Sequence, residues 1–585
     1  MQPLRHEIEK IVQNSFAGCG FETTHAHVVV SNRPDLADFQ CNGALPLAKK
    51  AGKNPREIAE KILDVLAPAL PYADLSLAGP GFINISVNSE KLSQYLQALT
   101  ADHDLALQKV NTPQNVFFDY GGPNVAKPMH VGHLRSGIIG QCLKNLFIYC
   151  GDTVTGDVHL GDWGTQMGMM IHALSLTHAE LPYFDKLYKG PYPETSPVSL
   201  DDLQEMYPKI SAQCKEDESI AEAARRATYE LQQGRPGYRA LWQHFVDVSI
   251  ADMKKHYGVL GVSFEQWFGE SRYQERLPGM IERFQEAGIV EESNGALVIH
   301  VAEESDKKEL PPLILRKSDG GVLYGTTDLA TVEERVEKFN ADLSVYVVDA
   351  RQSLHFEQVF RAAHKAGFES KFEHIGYGTM NGPDGKPFKT RAGGVMRLGD
   401  LIEILQNKAR ERIEEAGIGQ DFSKDEVDHI AQCVGVAALK FADLQHDPSQ
   451  NYVFDLDKFM RFEGKTGPYL LYAIVRIKSI LRKAQEANIT KGDISIEHEC
   501  EKELALVLAQ FPDVIARAYE KRRPNMLCEY AYTIAQTFSK FYNACHVVGA
   551  DTAGQKASRV ALCNLTQRHL EKLLKLIGIT IPERM

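Results

Sequence analysis

A strand, a glycine-rich turn, a helix and a second strand follow one another between residues 116 and 158. Residues 116–118 form a short apolar run that predicts a buried strand. Apolar residues then recur at steps of three and four between Leu134 and Cys150, which predicts a helix that Gly151 ends. A further strand is predicted at 153–158. This order is typical of a doubly wound α/β sheet, in which ligands bind where a strand gives way to a helix.

The turn before the helix carries two histidines, His130 and His133, on either side of Gly132. Imidazoles three residues apart at a helix start lie on the same side of it, and the glycine between them allows close approach of a ligand. Backbone N–H groups of a first helical turn also favour phosphate. The pattern therefore predicts a cradle for nucleotide phosphates. The alternative is a chance match, with two surface histidines near a turn.

A longer segment, Pro-Asn-Val-Ala-Lys-Pro-Met-His-Val-Gly-His-Leu-Arg-Ser at 123–136, resembles the arginyl-tRNA synthetases of class I. Gly-Asp-Trp-Gly-Thr-Gln at 161–166 resembles the same family. The resemblance implies an arginine–tRNA ligase, which activates L-arginine with ATP to arginyl-adenylate and transfers it to the 3′ end of tRNA(Arg). It also implies the fold class: α/β, with a Rossmann-type catalytic domain, an N-terminal α+β domain and a C-terminal all-α helical bundle.

The 585 residues exceed what one hydrophobic core accommodates, so several domains are expected. An N-terminal α+β tRNA-binding domain is expected at 1–110 and a helical anticodon-binding domain at 405–585. The catalytic domain is expected at 111–404, interrupted by insertions at about 170–240 and 275–320, the second of them rich in β-strand.

The resemblance implies an ATP site at two places in the catalytic domain. The residues implied for ATP binding are His130, Gly132, His133, Lys127, Lys389 and Arg391. Of these, the catalytic set is His130, His133, Lys127 and Lys389. The glycine- and cation-rich loop 384–394 is expected to fold over polyphosphate, although its lysines could also be ordinary loop charges. Where class I enzymes carry Lys-Met-Ser-Lys-Ser, this chain has Phe-Lys-Thr-Arg at 388–391. The resemblance implies that Lys127 supplies the missing second ammonium, and that Mg²⁺ arrives with ATP.

Selecting arginine requires recognition of a planar guanidinium, which calls for carboxylates in a fork geometry beside an aromatic ring. The residues implied for L-arginine binding are Asp119, Asn124, Tyr324, Asp328 and Gln352. The alternative places Asp328 at a helix N-cap and Tyr324 in the core. Gly121 and Gly122 stand where the family commonly has serine, and their backbone N–H groups are candidates to replace those hydroxyls.

The resemblance also implies two tRNA-binding regions. In the N-terminal domain, Phe82 and Asn84 match positions that stack on and hydrogen-bond to RNA loop bases, although Phe82 is equally compatible with a core strand. In the C-terminal helices the implied residues are Tyr472, Arg476 and the last residue, Met585. The net charge of −12 is unfavourable for RNA binding, but residues 513–585 contain eleven Lys or Arg and six Asp or Glu, which suits a basic face.

The remaining expectations concern location and rivals. No apolar run is long enough for a membrane span and residues 1–10 do not resemble a signal peptide, so a cytoplasmic location is expected. A monomer is expected as well. The ten cysteines form no Cys-x-x-Cys pair, so no protein-bound zinc is expected. One rival is cysteinyl-tRNA synthetase, whose thiol selection usually uses zinc. Another is an inactive paralogue that only binds tRNA, against which the intact histidine pair argues.

Overall fold

The computed structural model describes every residue except Asp319, Pro383, Pro387, 389–395, Ala416 and 418–420, together with the side chain of Ala51. The chain forms two compact units. The terminal unit comprises Met1–Val110, Arg461–Leu576 and Thr580–Met585, and the central unit comprises Asn111–Met460 and Ile577–Ile579. No helix in the described part of the chain has both the length and the apolar character needed to cross a membrane.

The N-terminal part of the terminal unit is an α+β structure, as the sequence predicts. Its elements are α1 (Leu4–Gly18), β1 (Val28–Val30), β2 (Phe39–Cys41), α2 (Ala44–Ala51), α3 (Pro55–Ala69), β3 (Ala73–Ala78), β4 (Phe82–Val87) and α4 (Ser89–Ala101). The strands form an antiparallel sheet in the order β1-β2-β4-β3. Ile83, Ile85 and Val87 of β4 are buried, so one face of the sheet packs in the core.

The central unit contains the longest series of elements. In chain order they are β5 (Asn115–Tyr120), α5 (Val131–Cys150), β6 (Thr153–Asp157), α6 (Thr165–Thr177), α7 (Leu200–Glu216), α8 (Glu218–Gln232), α9 (Pro236–Val259), α10 (Leu277–Glu286), β7 (Glu291–Ser293), β8 (Ala296–Ile299), β9 (Leu313–Arg316), α11 (Tyr324–Phe339), β10 (Leu343–Val347), α12 (Ser353–Lys365), β11 (Lys371–His374), β12 (Met380–Asn381), α13 (Leu398–Glu415), α14 (Lys424–Leu444), β13 (Tyr452–Val453) and α15 (Leu456–Phe459).

The main sheet of this unit has four parallel strands in the order β11-β10-β5-β6. The predicted strand–turn–helix–strand order is confirmed: β5 leads into α5, and α5 returns the chain to β6. All five residues of β10 are buried, because parallel strands are covered on both faces. In the register, Asp119 lies opposite both Tyr346 and Asp157, so their side chains gather at the carboxyl ends of three strands.

Two groups of elements lie between the halves of the sheet. Helices α6, α7 and α8 and the start of α9 occupy the first region in which an insertion is expected. The second contains α10 and an antiparallel sheet in the order β7-β8-β9, in agreement with its predicted β-rich character. Met280, Ile299 and Leu315 of this region share one buried core with Leu329 of α11.

The division of the chain differs from the expected domain boundaries in two respects. The central unit continues to Met460 and not to residue 404, because α13 and α14 pack against α5. Arg135 of α5 binds Asp443 of α14 in a buried ion pair of 2.9 Å. In addition, residues 1–110 join the C-terminal helices in one unit, because α4 packs on α17 (Glu499–Ala509) and Arg5 binds Asp513 at 2.7 Å.

The C-terminal part of the terminal unit is all helical. In addition to α17 it contains α16 (Gly467–Glu486), α18 (Phe511–Lys521), α19 (Asn525–Ala544) and α20 (Ala553–Ile577). α16 and α19 each bury one apolar face, which includes Leu471, Ile474, Leu527 and Phe538. Apolar residues at steps of three and four are typical of helices that pack in this way.

Candidate active site

The two histidines of the glycine-rich turn are held at the start of α5. His130 is the N-cap residue, and its Nδ1 accepts a hydrogen bond of 3.0 Å from the Gly132 N–H. The His130 N–H donates to Nδ1 of His133 at 3.2 Å. The rings stack with centroids 3.9 Å apart and planes inclined by 29°. The pair therefore forms a reciprocal cap that satisfies two N–H groups of the helix terminus.

The same bonds decide which nitrogen of each ring carries hydrogen. Burial, together with the charges of His130 and Lys127, lowers the pKa of His133 to about 3. Burial and the Lys127 charge also lower the pKa of His130. Both rings are therefore neutral at pH 7. Because each Nδ1 accepts from a backbone N–H, each Nε2 carries the ring hydrogen and is a donor. The pair offers two neutral donors to an anionic ligand.

Lys127 follows a residue with a left-handed backbone. Ala126 is buried with φ of 61°, and its N–H donates to the Ser249 hydroxyl of α9 at 2.9 Å. The Lys127 Nζ lies 4.5 Å from the centroid of the Tyr207 ring, which belongs to α7. The position of the lysine thus depends on two helices, α7 and α9, that are far from it in the sequence.

The cation-rich loop is attached to the histidine turn at its C-terminal end. Val131 N–H donates to the Met396 carbonyl at 3.1 Å, and Leu398 N–H donates to the Met129 carbonyl at 2.9 Å. At the other end, β12 pairs with β13, and Gly382 N–H donates to the Lys386 carbonyl at 2.8 Å. Lys389 and Arg391 lie outside the described residues, so their assignment to ATP stays a prediction.

Gly121 and Gly122 both have a positive φ, of 100° and 51°. The Gly121 N–H donates to the Ser136 hydroxyl at 2.6 Å, and the Gly122 N–H donates to the Val158 carbonyl at 2.9 Å. These N–H groups are therefore engaged within the protein, which counts against the expectation that they replace serine hydroxyls. A Cβ at Gly121 would lie 2.8 Å from the Tyr257 hydroxyl, so glycine is required there by space as well as by conformation.

Tyr324 and Asp328 occupy the first turns of α11. Tyr324 is 71% exposed and is the first residue of the helix, whereas Leu323 is the N-cap residue. The alternative interpretation, with Tyr324 in the core and Asp328 at the N-cap, is therefore wrong. One Asp328 carboxylate oxygen lies 2.5 Å from Nε2 of His355. This hydrogen bond raises the pKa of His355, although burial opposes it. Sequence reasoning missed His355.

Asp119 is compensated inside the protein. Its carboxylate accepts a hydrogen bond of 2.6 Å from Arg335, whose side chain is 1% exposed and also lies 3.6 Å from Asp157. Burial raises the pKa of Asp119, while the Arg335 charge opposes that shift. The guanidinium that Asp119 binds in this structure is thus the chain's own. The expectation that Asp119 binds an arginine ligand fits the structure less well than the same expectation for Asp328.

A second carboxylate, that of Glu270, is affected by the charge of Asp328 and was not predicted. Glu270 opens a short 3₁₀-helix (Glu270–Tyr273) after α9, and burial, with the charges of Asp162 and Asp328, raises its pKa to about 7 despite opposition from His159. Glu270, Tyr324 and Thr327 line a cavity of about 610 Å³. The local signal is an acidic residue that follows the apolar pair Trp267 and Phe268 after one glycine, and many surface loops share such a pattern.

Asn124 connects the histidine turn to this acidic region. Asn124 pairs with Gly161 in an isolated bridge, and Asp162 accepts hydrogen bonds from the backbone and hydroxyl of Ser271, which follows Glu270. Gln352 is exposed at the end of a 3₁₀-helix (Ala350–Gln352), three residues before His355. Asn124, Tyr324 and Asp328 all belong to the central unit, and the ligand contacts of Asn124 and Gln352 stay predictions.

The candidate RNA residues of the sheet β1-β2-β4-β3 differ in accessibility. Phe82 is partly exposed, with Gly79 against its ring. Asn84 is buried, and its side-chain oxygen accepts a hydrogen bond of 2.8 Å from Gln40 across the sheet. The expected polar edge of Asn84 is therefore already occupied, whereas Phe82 keeps an accessible ring.

The C-terminal candidates gather on α16. Tyr472 is 44% exposed, and Arg476, one turn later, lies over the Tyr542 ring at 4.5 Å from its centroid. Lys478 binds Glu583 at 3.2 Å, which holds the last residues of the chain against the same helix, with Met585 partly exposed. Tyr472, Arg476 and Met585 are thus compatible with one shared surface.

No group of three or more His, Cys, Asp or Glu side chains in the described ranges is arranged to hold a metal ion.

Comparison with known proteins places these observations in a family. The model for the catalytic domain of arginine-specific class I tRNA synthetases matches residues 94–456. The model for the DALR anticodon-binding domain matches 470–585, and the model for the arginyl-tRNA synthetase N-terminal domain matches 2–87. Together these matches span most of the chain.

Individual relatives agree with the family models. Proteins named arginine–tRNA ligase from Maricaulis maris and Hyphomonas neptunium are both 47% identical to this chain, over 588 and 589 residues, and each comparison covers the whole of both chains. The crystal structure of arginyl-tRNA synthetase from Plasmodium falciparum is similar over the whole of both chains, with a TM-score of 0.84 and 26% identity.

Proposed function

Since this chain belongs to the arginyl-tRNA synthetase family, we propose that it is an arginine–tRNA ligase acting on L-arginine, ATP and tRNA(Arg). In the first step, an oxygen of the arginine carboxylate forms a bond to the α-phosphorus of ATP. The bond from that phosphorus to the bridging oxygen breaks, and pyrophosphate leaves. In the second step, a hydroxyl of the terminal ribose of tRNA attacks the arginyl carbonyl carbon, and AMP leaves.

The phosphate chemistry is supported by the neutral histidine pair. Phosphoryl transfer depends mainly on positioning and on stabilising the charge of the transition state, and a protein nucleophile is not required. The Nε2–H groups of His130 and His133 are the proposed donors to phosphate oxygens. Lys127 adds a positive charge, with Lys389 and Arg391 proposed to join it. Mg²⁺ is proposed to enter bound to ATP, as part of the substrate.

The observation that carries the choice of amino acid is the pair of carboxylates Asp328 and Glu270 near the exposed Tyr324 ring. Burial is the main cause of the raised pKa of Glu270, and the charge of Asp328 adds to it, because two partly buried carboxylates repel each other. A guanidinium relieves the repulsion and binds both oxygens of a carboxylate in its plane. Asn124 and Gln352 are proposed for the α-amino and carboxylate ends, and Asp119 is proposed to hold Arg335.

The proposed tRNA contacts lie on the terminal unit. Phe82 is proposed to stack on an unpaired base, because aromatic rings with an exposed face are the usual platforms for single-stranded RNA. Tyr472, Arg476 and Met585 are proposed to contact the anticodon region. Asn84 is proposed to contact tRNA together with Gln40, because the Asn84 side-chain oxygen accepts a hydrogen bond from Gln40.

The location and assembly are also part of the proposal. The substrates of protein synthesis indicate the cytoplasm. A monomer is proposed, because every residue named for ATP and arginine belongs to the central unit of one chain.

Pyrophosphate exchange measured separately with each of the twenty amino acids, with and without tRNA(Arg), tests the proposal. Among the twenty amino acids, arginine is expected to be the only one that supports exchange. Exchange driven by cysteine would favour the cysteinyl rival, and tRNA binding without exchange under any condition would favour an inactive paralogue. Either result would overturn the proposed function.

A further inference from the structure

The first insertion reaches the proposed ATP site through one aromatic ring. Tyr207 lies on α7, on the same helical face as Leu203 and Ile210, which are three or four residues away and buried. Tyr207 itself is half-buried, so the body of the unit restricts its ring. Its face lies under the Lys127 ammonium, with 4.5 Å between Nζ and the ring centroid.

An ammonium group that rests on one face of an aromatic ring can still donate hydrogen bonds to a second partner. The attraction between a cation and the negative face of the ring is weak enough not to compete with a phosphate, and strong enough to select one orientation of a flexible side chain. The lysine side chain is a flexible chain of four carbons, so holding it before ATP binds reduces the entropy lost on binding. The backbone at Lys127 is already held by the left-handed Ala126 and its bond to Ser249.

The direction in which the lysine is held agrees with this role. Burial is the largest cause of the lowered pKa values of His130 and His133, and the Lys127 charge lowers both further. The charge of the ammonium therefore acts on the two proposed phosphate donors while the ammonium rests on Tyr207.

We propose that Tyr207 is a positioning residue for ATP binding: its ring holds the Lys127 ammonium beside the histidine pair, so that the lysine meets the ATP phosphates already oriented. This inference rests on the proposed function, because it assigns the orientation of a lysine of that same site to a residue of the insertion. It makes the first insertion part of the ATP-binding apparatus of the central unit.

The test measures KM for ATP and kcat in arginine-dependent pyrophosphate exchange, with arginine and tRNA(Arg) saturating. Tyr207→Leu removes the aromatic face and is expected to raise KM for ATP about threefold with little change in kcat. Tyr207→Phe keeps the face and is expected to retain the wild-type KM. Melting temperatures of all variants check that they are folded.

A double-mutant cycle with Lys127→Met separates positioning from a general effect on structure. In the Lys127→Met background, Tyr207→Leu is expected to change KM for ATP no further, because the partner of the ring is gone. The matched control is Tyr238→Leu. The Tyr238 ring carries the Arg235 guanidinium at 3.8 Å in the same region, and its loss is expected to leave KM for ATP unchanged.

Three outcomes overturn the inference. Equal KM values for wild type and Tyr207→Leu would show that the ring does not orient the lysine. A lower KM in Tyr207→Leu would show that the ring withholds the lysine from ATP. An equal effect of Tyr207→Leu with and without Lys127 would assign the ring a purely structural role. Absence of arginine-dependent exchange in the wild type would instead refute the proposed function itself.

Discussion

Nε2 of His355 lies 2.5 Å from the carboxylate of Asp328, the residue proposed to bind the substrate guanidinium. The hydrogen bond raises the pKa of His355, so the imidazole is held toward its protonated form. In the structure, the imidazole of His355 therefore occupies one oxygen of the carboxylate. Binding of arginine must share or displace this contact, which makes the acidic region sensitive to both charge and pH.

Asp328→Asn is expected to raise KM for arginine by about 10- to 100-fold, because a hydrogen bond between a carboxylate and a guanidinium loses its charge. KM for ATP is expected to change little. Both constants come from pyrophosphate exchange. Asp306→Asn is the control, since Asp306 binds the guanidinium of Arg361 at 2.7 and 2.8 Å in the second insertion. An unchanged arginine KM in Asp328→Asn would remove Asp328 from the proposed pocket.

Arginine affinity is expected to increase with pH up to about 7. The pKa of Glu270 is raised to about 7, so below that pH its carboxyl group is protonated. The arginine cation can then bind to the carboxylate only if Glu270 loses its proton. Calorimetric titration with arginine between pH 5.5 and 8 should show an affinity that rises up to about tenfold per pH unit and then levels off. In Glu270→Gln, the part of this pH dependence that comes from Glu270 is expected to disappear. A variant with the wild-type slope would show that another group controls the dependence.

His133→Asn is expected to slow adenylate formation about a hundredfold, because one donor to the transition state is lost or misplaced. Single-turnover measurement of adenylate checks the rate, and circular dichroism checks the fold. His103→Asn, at an exposed position near the N-terminal helices, is the control. Normal turnover in His133→Asn would exclude this histidine from the reaction.

The same histidine predicts a pH dependence of stability. His133 has a pKa of about 3 in the folded protein and an ordinary value near 6.5 when unfolded. Between pH 6.5 and 3 the unfolded chain binds more protons, so the His133 contribution lowers the free energy of unfolding as the pH falls, by at most ~1.4 kcal/mol per pH unit. Above pH 6.5 this contribution vanishes. Urea unfolding of wild type and His133→Asn across this range measures the difference, which should change with pH only below 6.5.

Arg335→Met is expected to destabilise the central unit by about 3–5 kcal/mol, because it leaves the buried carboxylates of Asp119 and Asp157 without their cation. Urea unfolding measures the loss. Arg351→Met, which removes an exposed guanidinium bound to Asp349, is expected to cost less than about 1 kcal/mol. Equal losses in the two variants would contradict a structural role for the Arg335 ion pairs.

Periodic patterns identified the main elements of the fold. The apolar run at 116–118 is part of β5, and the apolar residues between Leu134 and Cys150 lie on α5, because burial of one face imposes a fixed spacing on a strand or helix. The domain boundary expected at 405 differs from the division after Met460, because the contact of α13 and α14 with α5 leaves no periodic signal that distinguishes it from a contact with α16–α20.

The candidate site could be predicted only in part. Tyr324 and Asp328 are one helical turn apart, so their proximity follows from local geometry. The resemblance implies that Asn84 hydrogen-bonds to RNA, but the strand register places Gln40 directly opposite and the two side chains bind each other. Register is set by a strand whose Gln40 lies 44 residues before Asn84, and the motif around Asn84 contains no information about it.

The sequence by itself determined the parallel sheet, the histidine-bearing start of α5 and, through its motifs, the family. These features are local, because a few adjacent residues specify a strand, a turn or a cap. Only the tertiary structure decided which carboxylates are compensated. Arg335 neutralises Asp119 across 216 positions of sequence, whereas Glu270 shares a cavity wall with Tyr324 and interacts with Asp328. The charge state of a buried group depends on solvent exclusion and on charges within a few ångströms, and folding brings those charges from distant parts of the chain.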